Sequence, residues 1–294
     1  MGPNSGQIRI AAVDIGNSRV QCGFFDSFGG CVAEAQSRLF PIAASGLLQP
    51  ASSLELTLSP QHRFAEDKLL HWYEELCLEP FDWFVASVNR PADDYFQRVI
   101  AELGDQSGGR HRIHDVSHRD ITIPLKVPFP ERVGIDRLLA ATAANQLRTD
   151  DGPIVVVDHG TAMTVDLVDA TGAFVGGAIL PGIAMGAHAL AEGTDALPLV
   201  SSAKTSEVPP PIGTETESAI QSGLYWAAVG AIRSIVEQIA QSQTKPPMVC
   251  LTGGIHVPLA ENLTQMTGLE VRYVPQMVLA GIALVAGDRH GGIK

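Results

Sequence analysis

The chain has 294 residues, 45% of them hydrophobic and 18% charged, which is enough apolar material for one large domain or two of ordinary size. Its net charge of −12 argues against nucleic acid and anionic membrane surfaces as partners, because an acidic surface repels phosphate groups. The apolar runs are too short for a transmembrane helix, and the polar first residues lack the pattern of a secretory signal. We therefore expect a cytoplasmic globular protein.

The cysteines of the chain are scattered and form no C-x-x-C pair: Cys22, Cys31, Cys77 and Cys250. Their spacing fits neither a disulfide framework nor a metal site. We expect free thiols that are buried or partly buried.

The first half of the chain predicts alternating strands and helices. The predicted strands are Ile8–Ile15, Val20–Phe25 and Phe81–Val88, and the predicted helices are 62–79, Tyr95–Leu103 and Ile135–Leu147. Between the last two helices we expect a Gly-rich loop over Gln106–Arg112 and an extended stretch with several prolines over Thr122–Pro130.

The second half begins after a turn-rich break at residues 149–153. Strands are predicted over Ile154–Val157, Met163–Val168 and Met248–Leu251, with a turn at Asp169–Gly172. A capping box formed by Thr214 and Glu217 is expected to open a long helix that reaches about Gln241. A last helix is predicted over Val278–Gly287.

One short pattern occurs twice, almost half the chain length apart. Val13-Asp14-x-Gly16 and Val157-Asp158-x-Gly160 each follow an apolar strand and precede a second strand. Matching strand–turn–strand contexts favour a duplication. We expect two similar α/β domains, over residues 1–150 and 151–294, with a central cleft between them.

A glycine beside an aspartate at such a turn suits the binding of phosphate. Backbone N–H groups can approach the phosphate oxygens where no Cβ intervenes, and the carboxylate can hold a cation that bridges to them. The chain contains neither a Walker-type P-loop nor a G-x-G-x-x-G after a strand. In place of those motifs, we expect the two hairpins to face each other and to bind phosphate together with the glycines of Thr252-Gly253-Gly254, which follow a late strand.

Six segments in chain order resemble the motifs of type III pantothenate kinases. They are Asp14-Ile15-Gly16-Asn17-Ser18, Gly134-Ile135-Asp136-Arg137, the stretch Asp158 to Asp166 (DHGTAMTVD), Gly176 to Gly182 (GGAILPG), Thr194 to Pro198 (TDALP) and Thr252-Gly253-Gly254. The resemblance runs from residue 8 to about 287. It implies two duplicated ribonuclease-H-like domains of the actin/hexokinase-like superfamily, a homodimer, and a kinase that uses ATP with Mg²⁺ and a monovalent cation, K⁺ or NH₄⁺.

The resemblance also implies a role for each matching residue. Asp136 would accept the proton of the pantothenate hydroxyl, and Asp158 would be the ligand of the monovalent cation. ATP would be contacted by Asp14, Ile15, Gly16, Asn17, Ser18, Arg19, Val20, Gln21 and Thr161. Pantothenate would be bound by Gly134, Ile135, Asp136, Arg137 and Thr194. The first domain would carry the first phosphate loop and the base, and the second domain the second phosphate loop and the adenosine-side motif.

The chemistry of Asp136 and Arg137 agrees with these roles. An aspartate at the start of a helix lies near its positive end, so we expect Asp136 to be ionised and fixed in place. An ionised carboxylate can accept the proton of a hydroxyl, and the guanidinium of Arg137 can bind a carboxylate of the substrate.

The chain departs from the family pattern at the substrate motif. Where the family has Tyr-x-Asn-Pro, this sequence has Val127-Pro128-Phe129-Pro130, without the aromatic hydroxyl. Ala86-Ser87-Val88-Asn89-Arg90 matches the family's S-S-V-V-P only loosely. Three alternatives remain: a sugar or other small-alcohol kinase of the same superfamily, a catalytically silent regulatory paralogue, and an ATP hydrolase without an acceptor.

Overall fold

The computed structural model describes residues 9–26, 47–76, 81–107, 111–148, 151–200, 208–254 and 257–291. The strands in chain order are β1 (Arg9–Ile15), β2 (Arg19–Asp26), β3 (Ser52–Thr57), β4 (Asp82–Ser87), β5 (Ile113–Asp115), β6 (Ile154–His159), β7 (Ala162–Val168), β8 (Phe174–Pro181), β9 (Met248–Gly253) and β10 (Val271–Tyr273). The helices are α1 (Glu66–Leu76), α2 (Arg90–Ser107), α3 (Ile135–Gln146), α4 (Ile183–Gly193), α5 (Thr216–Ser242), α6 (Val257–Thr267) and α7 (Met277–Gly291). The chain forms two compact units, the first of residues 1–122, 128–147 and 276–294 and the second of residues 123–127 and 148–275.

The first unit is built on a five-stranded sheet in the order β3-β2-β1-β4-β5. The strands β1, β2 and β3 are antiparallel neighbours, whereas β4 and β5 run parallel to β1. The buried strands β1 and β4 are nearly continuous apolar runs, as expected for strands covered on both faces. Trp83 and Phe96 are fully buried in the core between the sheet and α2.

The second unit repeats this sheet. Its order is β8-β7-β6-β9-β10, with an antiparallel meander β6-β7-β8 and with β9 and β10 parallel to β6. Val157, Val165 and Ile232 lie in its core, where α5 packs on β7. Strand for strand the second sheet has the topology of the first, which confirms the duplicated α/β architecture.

The compact units differ from the predicted division at residue 150 in two respects. Helix α7 packs against α3 and β1 of the first unit, and it approaches α3 so closely that a Cβ on Gly281 would lie 2.2 Å from the carbonyl oxygen of Leu139. Residues 123–127 belong to the second unit, because the N–H groups of Lys126 and Phe174 bond across to the carbonyls of Phe174 and Pro124. The chain therefore crosses between the units more than once.

Most predicted elements are present with shifted ends. The helix predicted over 62–79 begins at Glu66 and is described to Leu76, since residues 77–80 lie outside the described ranges. The predicted capping box of α5 is wrong by one residue: Ser218 Oγ accepts the N–H of Glu215, and Glu215 is the N-cap. The strands β3, β5, β8 and β10 and the helices α4 and α6 were not predicted from the sequence. Alternation along β3, with only Leu56 buried, is the weak signal of an edge strand.

The thiols of Cys22 and Cys250 are free and buried, as predicted, and burial raises the pKa of Cys250 to about 12. Cys31 and Cys77 lie outside the described residues. Among the helices of the described ranges, none has the length and apolar character needed to cross a membrane.

Candidate active site

The first predicted phosphate loop is the tip of the β1–β2 hairpin in the first unit. Ile15 and Val20 form the last strand pair, and the N–H of Gly16 closes the turn on the carbonyl of Arg19 at 3.0 Å. Asn17 and Ser18 are the exposed residues of this turn. Their backbone and the Ser18 hydroxyl are therefore the groups of the loop most accessible to a ligand.

Of the nine residues predicted to contact ATP, four in the first loop have side chains that are buried or bound by the protein itself. Ile15 and Val20 are fully buried, so only their backbone can face a ligand. Arg19 and Gln21 both bind Glu55 of β3, at 3.3 Å and 2.9 Å. Glu55, which the sequence reasoning missed, anchors the second strand of the hairpin to its neighbour.

Gly16 is not required by the fold of its own turn. Its φ angle is not in the left-handed region, and a Cβ at this position would meet only the Arg19 carbonyl oxygen, at an ordinary 3.5 Å. Gly160, the equivalent residue of the second hairpin, has the same surroundings: a Cβ would meet only the Ala162 carbonyl oxygen, also at 3.5 Å. The packing of the protein itself therefore does not require glycine at either turn.

The predicted base, Asp136, lies in the first turn of α3, whose N-cap is Gly134. Its Oδ1 accepts the backbone N–H of Arg137 at 2.9 Å. A Cβ on Gly134 would lie 2.5 Å from the same oxygen, so glycine at 134 leaves room for the folded-back carboxylate. The spacing of the G-x-D-R motif thus has a local steric reason.

The pKa of Asp136 is raised, although its place at the helix start favours the ionised form. Burial of the half-buried carboxyl is the largest cause, and it outweighs the Arg137 N–H and the positive charge of Arg137, which both lower the pKa. A carboxylate with a raised pKa is a better proton acceptor.

The second predicted phosphate loop is the tip of the β6–β7 hairpin in the second unit. His159 pairs with Met163, and the N–H of Gly160 donates to Ala162 at 3.0 Å, so this loop is one residue shorter than the first. The start of α4 is attached to it, because the N–H of Gly182 donates to the Thr161 carbonyl at 3.2 Å. A Cβ on Gly182 would come within 2.5 Å of that oxygen, which explains this glycine of the GGAILPG segment.

Asp158 is flanked in the sheet by two threonines. Thr164 lies directly opposite on β7 and Thr252 alongside on β9, so their side chains share one face of the sheet with the carboxylate. The hydroxyl of Thr164 is buried and has no hydrogen-bond partner in the part of the chain that the structure describes. Thr164 was missed by the sequence reasoning, although it stands in the second motif.

The glycines after β9 lie against the same loop. Gly253 has a φ of +85°, and a Cβ there would be 2.4 Å from the His159 carbonyl oxygen and 2.5 Å from Asp158 Oδ1. The N–H of Gly254 donates to the His159 carbonyl at 2.8 Å. The Thr252-Gly253-Gly254 segment and the second phosphate loop are thus one structural feature.

Thr194, predicted to bind substrate, ends α4 in the second unit. Its hydroxyl donates to the Leu190 carbonyl at 2.9 Å and accepts the Leu197 N–H at 3.3 Å. The side chain is exposed, and both bonds fix its rotamer. Among the predicted residues, Asp14–Gln21 and Gly134–Arg137 belong to the first unit, whereas Asp158, Thr161 and Thr194 belong to the second.

Comparison with known proteins decides the family. The sequence profile of the type III pantothenate kinases matches residues 10–238. The chain belongs to the type III pantothenate kinase family.

Two relatives in that family illustrate the extent of the similarity. The type III pantothenate kinase of Rhodopirellula baltica is 41% identical over 183 residues, which are 62% of this chain and 63% of that protein. The enzyme of Dehalococcoides mccartyi is 31% identical over 271 residues, which are 86% of this chain and 89% of that protein. The match to the Rhodopirellula baltica protein spans less than two thirds of that protein's length. The same holds for the enzyme of Paramagnetospirillum magneticum, of which the match covers 56%.

A solved structure supports the fold of this type III pantothenate kinase family member. The activator of the 2-hydroxyisocaproyl-CoA dehydratase of Clostridium difficile, solved with bound ADPNP, matches 98% of both chains with a TM-score of 0.51 at 12% identity. At that identity the likeness concerns the fold alone, which is the actin-like fold expected from the sequence.

An exposed aromatic–cationic pair, Phe129 and Arg132, precedes α3 in the chain. Phe129 stands where the family has Asn, is 54% exposed, and carries the guanidinium of Arg132 at 4.6 Å from its ring centroid. Phe129 is the N-cap of the short 3-10 turn Pro130–Arg132, and Arg132 ends that turn. The aromatic–cationic pair is a surface that the motif comparison did not predict.

Proposed function

We propose that this chain transfers the γ-phosphoryl group of ATP to the primary hydroxyl of pantothenate, forming 4′-phosphopantothenate, the first step of coenzyme A biosynthesis. The observation that carries the proposal is the carboxylate of Asp136. It is held by the Arg137 N–H, fits against Gly134, and has a pKa raised by burial.

In the proposed step Asp136 accepts the proton of the acceptor hydroxyl. The hydroxyl oxygen forms a bond to the γ-phosphorus while the bond from that phosphorus to the β,γ-bridging oxygen breaks, and ADP leaves. Such a reaction depends on positioning and charge neutralisation more than on covalent help from the protein. A fixed rotamer of Asp136 meets the first need, because a mobile base would have to be reoriented in each turnover.

The two hairpin tips are the proposed phosphate sites. Gly16 and Gly160 leave the backbone of equivalent turns uncovered by a Cβ, and both turns are closed by internal hydrogen bonds of 3.0 Å. Preformed turns of this kind lose little conformational entropy when a phosphate binds. Thr161 is the proposed second ATP contact.

Cations fit the second loop. Asp158 and the buried hydroxyl of Thr164 are oxygen donors on one face of the sheet, a suitable set for K⁺ or NH₄⁺ near a phosphate. Within the described residues no cluster of three or more His, Cys, Asp or Glu side chains could hold a metal ion, so Mg²⁺ would be held largely by the phosphates of ATP. The cations would supply neutralisation of phosphate charge.

For the acceptor, Arg137 is the proposed partner of the pantothenate carboxylate and Thr194 a further contact. The main alternative is another small-alcohol or sugar acceptor, which the replacement of the family's Tyr and Asn by Val127 and Phe129 favours. The two are separated by offering pantothenate and a panel of sugars to the same preparation.

We further propose a cytoplasmic homodimer that uses α5. Ala219, Gly223, Ala227 and Gly230 form an exposed row at three- and four-residue spacing, and a Cβ on either glycine would meet nothing within 4 Å. A second copy could approach this row closely. Light scattering of the purified protein and of a Gly223→Glu variant tests it, because a monomeric wild type contradicts the dimer.

A coupled assay of ATP consumption tests the proposed function. The purified protein is given pantothenate with K⁺, and then with Na⁺, as the only monovalent cation. We expect turnover that requires both pantothenate and K⁺. ATP binding without pantothenate-dependent turnover would instead support the sugar kinase or the silent paralogue, and turnover without any acceptor the ATP hydrolase.

A further inference from the structure

Asn89 is a buried polar residue at the point where β4 ends, and it is 5% exposed. It stands in the stretch where the sequence matches the family only loosely. Its backbone carbonyl accepts the Asp93 N–H at 3.0 Å and its Oδ1 accepts the Ala92 N–H at 3.3 Å. Asn89 therefore caps the N-terminus of α2.

The other end of the same amide reaches the first phosphate loop. Asn89 Nδ2 donates to the carbonyl of Gly16 at 3.3 Å and lies 3.1 Å from Nδ1 of His62. Since Oδ1 is committed to an N–H donor and Nδ2 faces a carbonyl, the orientation of the amide is fixed by its partners. Nδ1 of His62 is then assigned as the acceptor of this bond, which leaves Nε2 to carry the ring proton.

His62 is held in place independently of Asn89. It has a φ of +59°, a left-handed conformation that costs free energy for a residue other than glycine. The turn that imposes this conformation is closed by the His62 N–H to the Ser59 carbonyl at 2.9 Å and the Ser59 N–H to the Arg63 carbonyl at 2.8 Å. Leu58, just before the turn, donates its N–H to the Ser18 carbonyl at 2.9 Å.

These bonds connect the phosphate loop to two separate elements. The turn after β3 binds the loop at Ser18, and the end of β4 binds it at Ile15, through the Val88 N–H at 3.0 Å, and at Gly16, through Asn89. Gly16 carries no side chain that could hold the loop in place. The Asn89 amide is the side chain that fixes the Gly16 carbonyl, and His62 fixes the amide.

We propose that Asn89 and His62 are positioning residues of the nucleotide site. They hold the peptide group between Gly16 and Asn17 in the orientation in which its N–H can donate to a phosphate of ATP. This inference rests on the proposed role of the first hairpin in ATP binding. Neither residue touches ATP or the acceptor in this assignment. Their effect is therefore on the affinity for ATP, with little effect on the affinity for the acceptor.

Substitutions at Asn89 separate the capping role from the positioning role. Asn89→Ser and Asn89→Thr keep a hydroxyl N-cap of α2 but remove the Nδ2 donor without adding a charge. We expect both to weaken the binding of ATP·Mg²⁺ about 3- to 10-fold, the effect of losing one hydrogen bond, while the protein stays folded at the temperature of the binding measurement. Unchanged ATP affinity in both would reduce Asn89 to a helix cap and overturn the proposal.

Substitutions at His62 give a second, independent test. His62→Asn keeps an acceptor at the δ position and suits the left-handed backbone, whereas His62→Ala removes the acceptor. We expect His62→Ala to weaken ATP binding and His62→Asn to restore it. The matched control is His71→Ala, an exposed histidine of α1, which should change nothing. Equal effects of His62→Ala and His62→Asn would contradict the assignment.

The measurement is titration calorimetry with ATP·Mg²⁺, followed by KM values for ATP and pantothenate. Calorimetry tests the positioning role even if pantothenate is not the acceptor, because it needs no turnover. A wild type that fails to bind ATP would instead refute the proposed function. A rise in KM for ATP without a rise in KM for pantothenate is the expected split, and a rise in both would overturn the positioning role.

Discussion

Gly134 and Asp136 are matched to each other: a methyl group on residue 134 would come within 2.5 Å of the Oδ1 atom of Asp136. The carboxylate folds back over its own helix start, where the Arg137 N–H donates to it. The position of the proposed base is therefore set by a residue that has no side chain.

The first prediction concerns Gly134→Ala. The added methyl group displaces the carboxylate, and we expect kcat to fall about 100-fold, because a displacement of about 1 Å of a catalytic group can have that effect. ATP affinity, measured by calorimetry, should stay unchanged. A variant with normal kcat would show that the carboxylate does not need this rotamer.

The second prediction concerns Asp136→Asn. Without a proton acceptor, pantothenate phosphorylation should fall by about 100-fold or more, while ATP binding is kept. The matched control is Asp67→Asn, an exposed aspartate in the first turn of α1. Normal turnover of Asp136→Asn would mean that another group is the base.

The third prediction follows from the raised pKa of Asp136. The folded carboxyl holds its proton to a higher pH than the unfolded one, so its contribution to the free energy of unfolding is lost as pH rises from 3.8 through the raised pKa. Asp136→Asn, which stays neutral, should therefore melt at a higher temperature than the wild type at neutral pH. The difference should shrink below about pH 4. A lower melting temperature of the variant at neutral pH would contradict the burial effect.

The same pKa predicts the pH dependence of activity. A base must be ionised, so kcat/KM for pantothenate should fall as pH falls through the raised pKa of Asp136, at a higher pH than an ordinary aspartate would give. A pH profile of kcat/KM, supported by melting curves that show the protein folded throughout, measures this pKa.

The fourth prediction compares glycines. Gly16→Ala and Gly160→Ala leave the unliganded protein as stable as before, since a Cβ meets only ordinary contacts at 3.5 Å, but they should weaken ATP binding. Gly253→Ala should destabilise the protein itself, because φ is +85° and the methyl group would clash with a backbone oxygen. Thermal melts with and without ATP distinguish the two kinds of glycine. If Gly16→Ala and Gly160→Ala bind ATP normally, the turns are not phosphate sites.

The fifth prediction concerns Thr164→Val, a substitution of similar shape. Removing a buried hydroxyl that has no partner in the described residues should stabilise the protein without K⁺ by about 1–3 kcal/mol. If that hydroxyl binds the monovalent cation, the K⁺ concentration for half-maximal activity should rise as well. A stability gain without any change in K⁺ dependence would remove Thr164 from the cation site.

The sequence predicted the elements with strong local signals. Apolar runs gave β1, β4, β6 and β9, and the repeated aspartate–glycine turns gave the duplication, because these patterns are local in the chain. The strand β3 was missed because a half-exposed edge strand has only a weak alternation. The capping box was misplaced by one residue because Thr214 and Glu217 have the residue types of the motif, whereas the observed box is formed by Glu215 and Ser218.

By itself, the sequence determined the family, the two hairpins and the residues of the motifs, since each depends on residue types at short spacing. Tertiary structure decided how those residues are held and charged. Asn89 meets Gly16 across 73 positions of sequence, Glu55 meets Gln21 across 34, and the pKa of Asp136 is raised by burial that its own helix start opposes. Contacts between distant segments and the loss of water around a carboxyl arise only when the chain packs, and no short spacing encodes them.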